Sequence, residues 1–389
     1  MLFAYVLIVI VIGSVLFHFV SPWSATPLAS NWQSMDDTLT ITLAVTALFF
    51  VVINFFVAYT LLRYRHREGS RAAYEPENRK LERWLIGITS IGIALLLAPG
   101  LLVYAKYVNA PGDAIVLEIL GQQWQWYYRF PGTDSKLGLT DARFVSATNP
   151  FGLNPGDPAG QDDFLIAGTE VHLPLNKPVK VLLRSHDVLH DFFVPPFRAR
   201  MNIVPGQVST FWFTPTVIGR YEAMCAQLCG IGHPNMRGHV VVEDDARFQA
   251  WLKAQSTFAV TLASASRPVG ASPSTGADNQ VAQGQALSQS RGCAACHTAD
   301  GSARVGPTWK GLYGTPRLLA DGSTVLADED YLRRSIVEPQ AQVVKGFPPI
   351  MPPASLGNEE VAALLAYIQS LGGATAAAPA PAAGQKAQQ

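Results

Sequence analysis

At 389 residues the chain is long enough for two or three domains, and its 29 basic and 29 acidic side chains cancel. That balance gives no electrostatic reason to expect nucleic acid as a partner. Charged residues make up only 15% of the sequence, against roughly 25% in an average soluble protein, so part of the chain is expected to lie in lipid.

Three apolar stretches, 2–20, 39–62 and 84–108, each reach the about 20 residues a helix needs to cross a bilayer core. The first lacks the basic n-region of a secretory signal and reads as a retained span. Were it cleaved, the small-residue region Ala25 to Ser30 is where the cut would fall. Arg63, Arg65, Arg67, Arg71, Arg79, Lys80 and Arg83 crowd the loop between the second and third stretches. By the positive-inside rule that loop is cytoplasmic, and everything after Val108 lies on the opposite face. Residues 1–110 are therefore expected to form a membrane region.

From 111 to 254 the sequence breaks into short β-branched and aromatic runs bounded by Pro or Gly, around Ala114, Val179, Ser209 and Gly238. This spacing predicts a small sandwich that presents ligands on loops at one end. Asn149 to Asp163 is turn-rich, and its carboxylates do not match the spacing of an EF-hand loop, so a solvated loop is expected.

Cys225 to Met236, C-A-Q-L-C-G-I-G-H-P-N-M, concentrates two thiolates, an imidazole and a thioether on one loop. Soft sulfur ligands with imidazole and a weak Met select copper. Two thiolates suit a pair of copper ions bridged by both sulfurs, each ion capped by one His. The second His would come from S-H-D-V-L-H, where His190 is the best candidate. A Cys2His2 zinc site is the alternative; the Met at a third fixed offset favours copper.

Residues 255–280, rich in Ser, Ala, Gly and Pro, read as a flexible linker. Residues 281–372 carry helical patterning around C-A-A-C-H (Cys293, Cys296, His297) and again from Glu359 to Leu371, ending at Gly372-Gly373. C-x-x-C-H is the signature of covalent c-type haem attachment. All four cysteines are thereby committed to redox cofactors. The Ala/Pro-rich segment 373–389 reads as a disordered tail.

In this order, two spans joined by a basic loop, G-Q-Q-W-Q-W-Y-Y (121–128), D-V-L-H ending at His190, the copper loop and C-x-x-C-H, the chain resembles subunit II of the haem–copper cytochrome c oxidases. It is similar to the bacterial kind with a C-terminal fused cytochrome c. The resemblance implies a multidomain fold: transmembrane helices, an all-β cupredoxin-like Greek-key sandwich, and an all-α class I cytochrome c. It implies a binuclear copper centre, CuA, bridged by Cys225 and Cys229 and capped by His190 and His233. Met236 and the main-chain carbonyl of Gln227 would be its weak ligands. Trp124 matches the exposed aromatic through which electrons reach that centre, with Trp126, Tyr127 and Tyr128 packing beneath it. Cys293 and Cys296 would hold haem c, with His297 proximal, Met351 distal and the carbonyl of Pro307 orienting His297. Glu82 is a low-ranked candidate for proton uptake, against the alternative of a snorkelling interfacial acid.

The implied function is the electron-accepting subunit of a proton-pumping terminal oxidase in the bacterial inner membrane, with its copper and haem domains on the periplasmic face. The implied partners are subunit I, subunit III and a cytochrome c donor. A CuA-containing nitric oxide reductase and a membrane-anchored electron shuttle are the alternatives; the spans argue against a nitrous oxide reductase. Departures from the family pattern are Gln227, where the family has a Glu that helps bind magnesium at the subunit I junction, and Asn202 and Gln207 in R-M-N-I-V-P-G-Q.

Overall fold

Three long helices begin the chain: α1 (Leu2–Val20), α2 (Gln33–Arg63) and α3 (Arg79–Val108). Each is apolar and long enough to cross a membrane. The computed structural model describes residues 2–21, 26–69, 71, 76–146, 149–167, 170–265, 276–302, 304–351 and 356–372. The second and third helices run beyond the apolar spans 39–62 and 84–108, because polar turns such as Gln33–Thr38 and Arg79–Arg83 continue the same helices. Asn78 caps α3, its side chain accepting from the Leu81 N–H. Glu82 sits exposed in that first turn.

Strands β1 (Ile115–Gln122), β2 (Gln125–Phe130), β3 (Phe164–Ala167), β4 (Glu170–Pro174), β5 (Val179–Ser185), β6 (His190–Val194), β7 (Ala199–Ile203), β8 (Ser209–Phe213), β9 (Gly219–Cys225), β10 (Arg237–Glu243) and β11 (Ser256–Thr257) form two sheets. Their orders are β11-β3-β2-β1-β5-β8 and β4-β10-β9-β6-β7. The pairs β1/β5 and β4/β10 are parallel and the rest antiparallel. Strand alternation decides what faces the core. Leu117, Ile119, Trp126, Tyr128, Val181 and Phe211 point between the sheets, meeting Phe192, Val194, Ala223 and Val240 of the second.

The odd partners in that alternation, Leu120 and Tyr127, point away from the core and join a second cluster with Phe151, Leu153 and Phe258. The segment Asn149 to Asp163 is therefore not a solvated loop. Its apolar residues cover the outer face of the first sheet, and its last carboxylate is buried with them. The first part of the expected linker 255–280 is structured too. Phe258 is fully buried, its N–H donates to the Asp163 carbonyl at 2.9 Å, and β11 adds to the sheet edge before α5 (Phe258–Ala265). An aromatic of this size gains more from that apolar face than a flexible tether gains from its entropy. Residues 266–275 and the expected tail 373–389 lie outside the described residues.

Short polar ties fix the sandwich to its helices. At the start of α2, the Trp32 Nε1–H donates to the Trp212 carbonyl at 2.9 Å, and Asp36 takes two bonds from the Arg198 guanidinium at 2.7 and 2.8 Å. At the end of α3, the Trp212 Nε1–H donates to the Lys106 carbonyl, and Tyr107 Oη both donates to and accepts from the Arg200 backbone.

After α4 (Asp245–Lys253) and α5, the last domain contains α6 (Gly276–Ser290), α7 (Cys293–Cys296), a small hairpin β12/β13 (Pro316–Leu318, Thr324–Leu326), α8 (Glu329–Val337) and α9 (Asn358–Ser370). The α6/α9 pair is close enough that a Cβ at Gly284 would lie 1.9 Å from the Ala363 carbonyl oxygen, so glycine is what permits the crossing.

Beneath the 149–163 segment, Arg129 is 1% exposed and joins two buried acids: Glu118 accepts from its Nε at 2.6 Å and Asp163 from its Nη1 at 2.9 Å. Arg184 adds a 2.8 Å pair to Glu118. Removing the shared cation leaves Asp163 buried without its countercharge, so Arg129→Leu should destabilise the protein by about 3–5 kcal/mol. Thermal and denaturant unfolding of the detergent-solubilised chain reads this; a change below about 1 kcal/mol contradicts it.

Candidate metal and haem centres

The copper loop is the connection of a β-hairpin. β9 ends at Cys225 and β10 begins after Met236, and the Cys225 N–H donates to the Met236 carbonyl at 3.0 Å across its base. His190 opens β6, whose pairing with β9 sets Phe192 against Cys225. A Cβ on Gly121 would lie 3.1 Å from the His190 ring, so glycine there leaves the imidazole its space.

These elements bring the soft donors together. The two sulfurs are 3.6 Å apart; His190 Nδ1 is 4.0 Å from Cys225 Sγ and His233 Nδ1 is 3.6 Å from Cys229 Sγ. Met236 Sδ lies 3.9 Å from Cys229 Sγ, and the Gln227 carbonyl oxygen 3.1 Å from Cys225 Sγ. Both cysteines, His190 and Met236 are buried at one end of the sandwich core. His190 Nε2–H donates to Asp187 Oδ1 at 2.8 Å, which leaves Nδ1 as the free donor atom facing the sulfurs.

The thiols are electrostatically coupled. A hydrogen bond from Cys229, opposed by burial and aided by one with His190, holds the Cys225 thiol well below the ordinary thiol range, while the same proximity pushes Cys229 far above it. Two sulfurs at this distance share one proton unless a cation displaces it. The donor set (two sulfurs, two imidazole nitrogens, a thioether and a carbonyl) thus fits soft, positively charged copper.

Trp124 and Gln123 form the two-residue turn between β1 and β2, where Gln122 pairs with Gln125. Both side chains reach the copper loop: Trp124 Nε1–H donates to the Cys229 carbonyl at 3.1 Å and Gln123 Nε2–H to the same oxygen at 2.8 Å. The indole lies so close over the loop that a Cβ on Gly232 would come within 2.3 Å of it. Trp126 and Tyr128 pack in the core below, with Trp126 edge-on to His190. Tyr127 does not join them; strand alternation turns it to the opposite face of the sheet.

The second centre is a cavity of about 680 Å³, within the ~300–1,000 Å³ range of small-molecule and cofactor sites. Cys293, Cys296, His297, Pro307 and Met351 line it. His297 Nδ1–H donates to the Pro307 carbonyl at 2.8 Å, and its ring stacks on Trp309 at 5.1 Å. Burial holds the imidazole below its ordinary pKa, so it stays neutral with Nε2 free as a ligand. A Cβ on Gly306 would lie 2.7 Å from the ring, so the backbone also sets its orientation. Two thiols for thioether bonds, a free imidazole nitrogen and a thioether around one apolar cavity fit haem c. The wall opposite these residues comes from the sandwich: Gln122, Gln123, Trp124, Gln125 and Tyr127.

Sequence reasoning missed Asp187, Gln123 and Trp309. Asp187 stands three residues before His190, a spacing that could have signalled a carboxylate on the ligand's second nitrogen. Gln123 and Trp309 carry no local signal. Glu82 is brought to neither centre. Away from both centres, His172 lies between Glu243 and Glu170 and stacks on Trp251 at 4.4 Å.

Comparison with known proteins agrees with this layout. Residues 115–244 match the family described as cytochrome C oxidase subunit II, periplasmic domain, and residues 281–372 match the cytochrome c family. The alternative cytochrome c oxidase subunit 2 of Bradyrhizobium diazoefficiens is 53% identical over 256 residues, 66% of this chain and 92% of that protein. The cytochrome c oxidase subunit 2 of Cereibacter sphaeroides is 28% identical, covering 59% of this chain and 78% of its own length. That of Alkalihalophilus pseudofirmus is 25% identical over 354 residues, 89% of each chain.

Replacing one bridging sulfur should separate the two centres experimentally. Cys229→Ser is expected to abolish a mixed-valence copper signal in electron paramagnetic resonance while leaving the haem c absorption bands intact. Persistence of that signal contradicts a two-thiolate centre.

Proposed function

The chain belongs to the cytochrome c oxidase subunit II family, and from that premise we propose that it delivers electrons from a cytochrome c donor, by way of its own haem c and binuclear CuA, to an oxygen-reducing site in subunit I of a proton-pumping oxidase. The observation that carries this reading is the position of the Trp124 turn. One side of it hydrogen-bonds the copper loop, and it also forms part of the wall of the haem cavity. A single aromatic side chain thus borders both centres.

When bound, copper bridged by two thiolates supplies a one-electron couple with little reorganisation, and haem held by His and Met a raised potential. The chain's own residues do the rest. Cys225, Cys229, His190 and His233 would hold copper, with Met236 and the Gln227 carbonyl as weak ligands. Burial at the end of the core keeps that set dry and fixed in geometry. Cys293 and Cys296 would anchor haem c, with His297, oriented by the Pro307 carbonyl, and Met351 as the side chains that would ligate its iron. Trp124 supplies the π-system between them.

The basic α2–α3 loop faces the cytoplasm by the positive-inside rule, which sets the sandwich and haem domain on the periplasmic side of the inner membrane. A magnesium ion at the junction with subunit I would meet the neutral Gln227 amide in place of a carboxylate. Subunit III completes the proposed assembly.

Purification in mild detergent, with optical spectra and gas-consumption assays, tests this reading. Haem a-type bands with oxygen uptake support it; nitric oxide turnover without oxygen uptake points to the reductase, and a copper–haem c protein that purifies alone points to a shuttle. Within the complex, Trp124→Leu should slow haem c-to-copper transfer on the order of tenfold or more, since catalysis by positioned groups is lost steeply with small displacements. Flash reduction of haem c followed by copper absorbance measures it. Met351→Ala should lower the haem c potential by removing the thioether ligand, read by redox titration.

A further inference from the structure

Asp187 is in contact with both a copper ligand and the Trp124 turn. Its Oδ1 accepts from His190 Nε2–H at 2.8 Å and from the Val188 N–H at 2.7 Å, while Oδ2 accepts from the Gln123 backbone N–H at 2.7 Å. The Asp187 N–H meets Ser185 Oγ at 3.3 Å, and Ser185 Oγ–H donates to the Val188 carbonyl at 2.6 Å, which holds the loop in place. The side chain is 25% exposed, and both of its oxygens are engaged by N–H donors of the protein.

These bonds close a ring. Asp187 joins His190 to Gln123, and Gln123 Nε2–H and Trp124 Nε1–H both end on the Cys229 carbonyl. Cys229 Sγ faces Cys225 Sγ, which faces His190 Nδ1. The indole is pressed onto this ring over Gly232, where a side chain would collide with it.

We propose that Asp187 is a positioning residue that locks the Trp124 turn to the copper-binding His190, so that one carboxylate sets both the copper potential and the aromatic contact. The proposal rests on the copper reading of the preceding section. Its chemistry follows from the bonds. A carboxylate on the far nitrogen of a metal-bound imidazole fixes the tautomer and raises ligand basicity, which favours the more highly charged, oxidised metal. The second oxygen makes a charge-assisted bond to the turn, stronger than a neutral one. An amide at 187 cannot serve both donors. Whichever way it is turned, its NH2 confronts an N–H of His190 or of Gln123.

The test uses Asp187→Asn and Asp187→Glu in the intact oxidase complex. Copper content, the mixed-valence resonance, the haem c–copper electron equilibrium and the rate of internal transfer after photoreduction of haem c are measured without external donor. For Asp187→Asn the electron equilibrium should move about tenfold toward reduced copper, about 59 mV for a one-electron couple. Copper affinity should fall about 10–100-fold and internal transfer should slow. Asp187→Glu keeps the charge and should return the equilibrium toward the native value. Unaltered haem c bands report that each variant is folded. A native resonance, equilibrium and internal rate in Asp187→Asn overturn the proposal, as does an effect confined to the KM for an external cytochrome, which would make Asp187 a docking charge. A native chain without copper sinks both this inference and the reading beneath it, whereas native copper with an indifferent variant sinks this one alone.

Discussion

Two sulfur atoms held 3.6 Å apart at the dry end of a β sandwich cannot both be thiolates without a cation. That constraint organises the extramembrane part of the chain. The hairpin loop between β9 and β10 brings the cysteines together, β6 supplies an imidazole from the adjacent strand, and the β1–β2 turn closes over the top. Each contribution comes from a rigid element. The ligands are thus held by sheet register and core packing, and the 226–236 loop has little freedom to relax around a wrong geometry. The polar ties from Trp32, Asp36 and Tyr107 extend that rigidity to the membrane helices. They fix the position of the centre relative to α2 and α3.

How much of this was legible beforehand depended on whether the signal was local. C-x3-C-x3-H-x2-M and C-x-x-C-H place their donors within one loop or one turn, so spacing alone pointed to the chemistry. The apolar spans were legible for the same reason. Long-range partners were not. Nothing near Arg129 in sequence announces that Glu118 and Asp163 will enclose it, because those pairings arise only when β1, β2 and the 149–163 segment meet. The misreading of that segment has one physical source. Its Pro, Gly and Asp residues dominate its composition, while Phe151 and Leu153 decide its burial. Tyr127 shows the complementary case: the three consecutive aromatics Trp126, Tyr127 and Tyr128 suggest a common role, and strand alternation divides them between two faces.

The fused domain changes what an exposed aromatic means. Trp124, which matches the family's exposed aromatic for electron entry, is half-buried against the sandwich core and also lines the haem cavity. In the proposed function, a haem domain carried on the same chain would meet this turn without a bimolecular encounter, leaving Trp124 to serve the internal step.

Charge beside the copper ligands rests on a buried acid, while the three departures from the family pattern are all neutral amides. Asn202 replaces the usual acid on β7 and is exposed, while directly across the β6/β7 register stands Asp191, almost fully buried beside His190. Arg200, two residues before Asn202, reaches back to that acid at 3.4 Å and to the Ala226 carbonyl of the copper loop at 3.4 Å. Burial raises the Asp191 carboxyl above its ordinary value and Arg200 opposes the shift. Asp191 and Arg200 thus form an acid–base pair that reaches the copper loop, while positions 202, 207 and 227 carry neutral amides, which keep hydrogen bonding available without adding charge that would have to be desolvated.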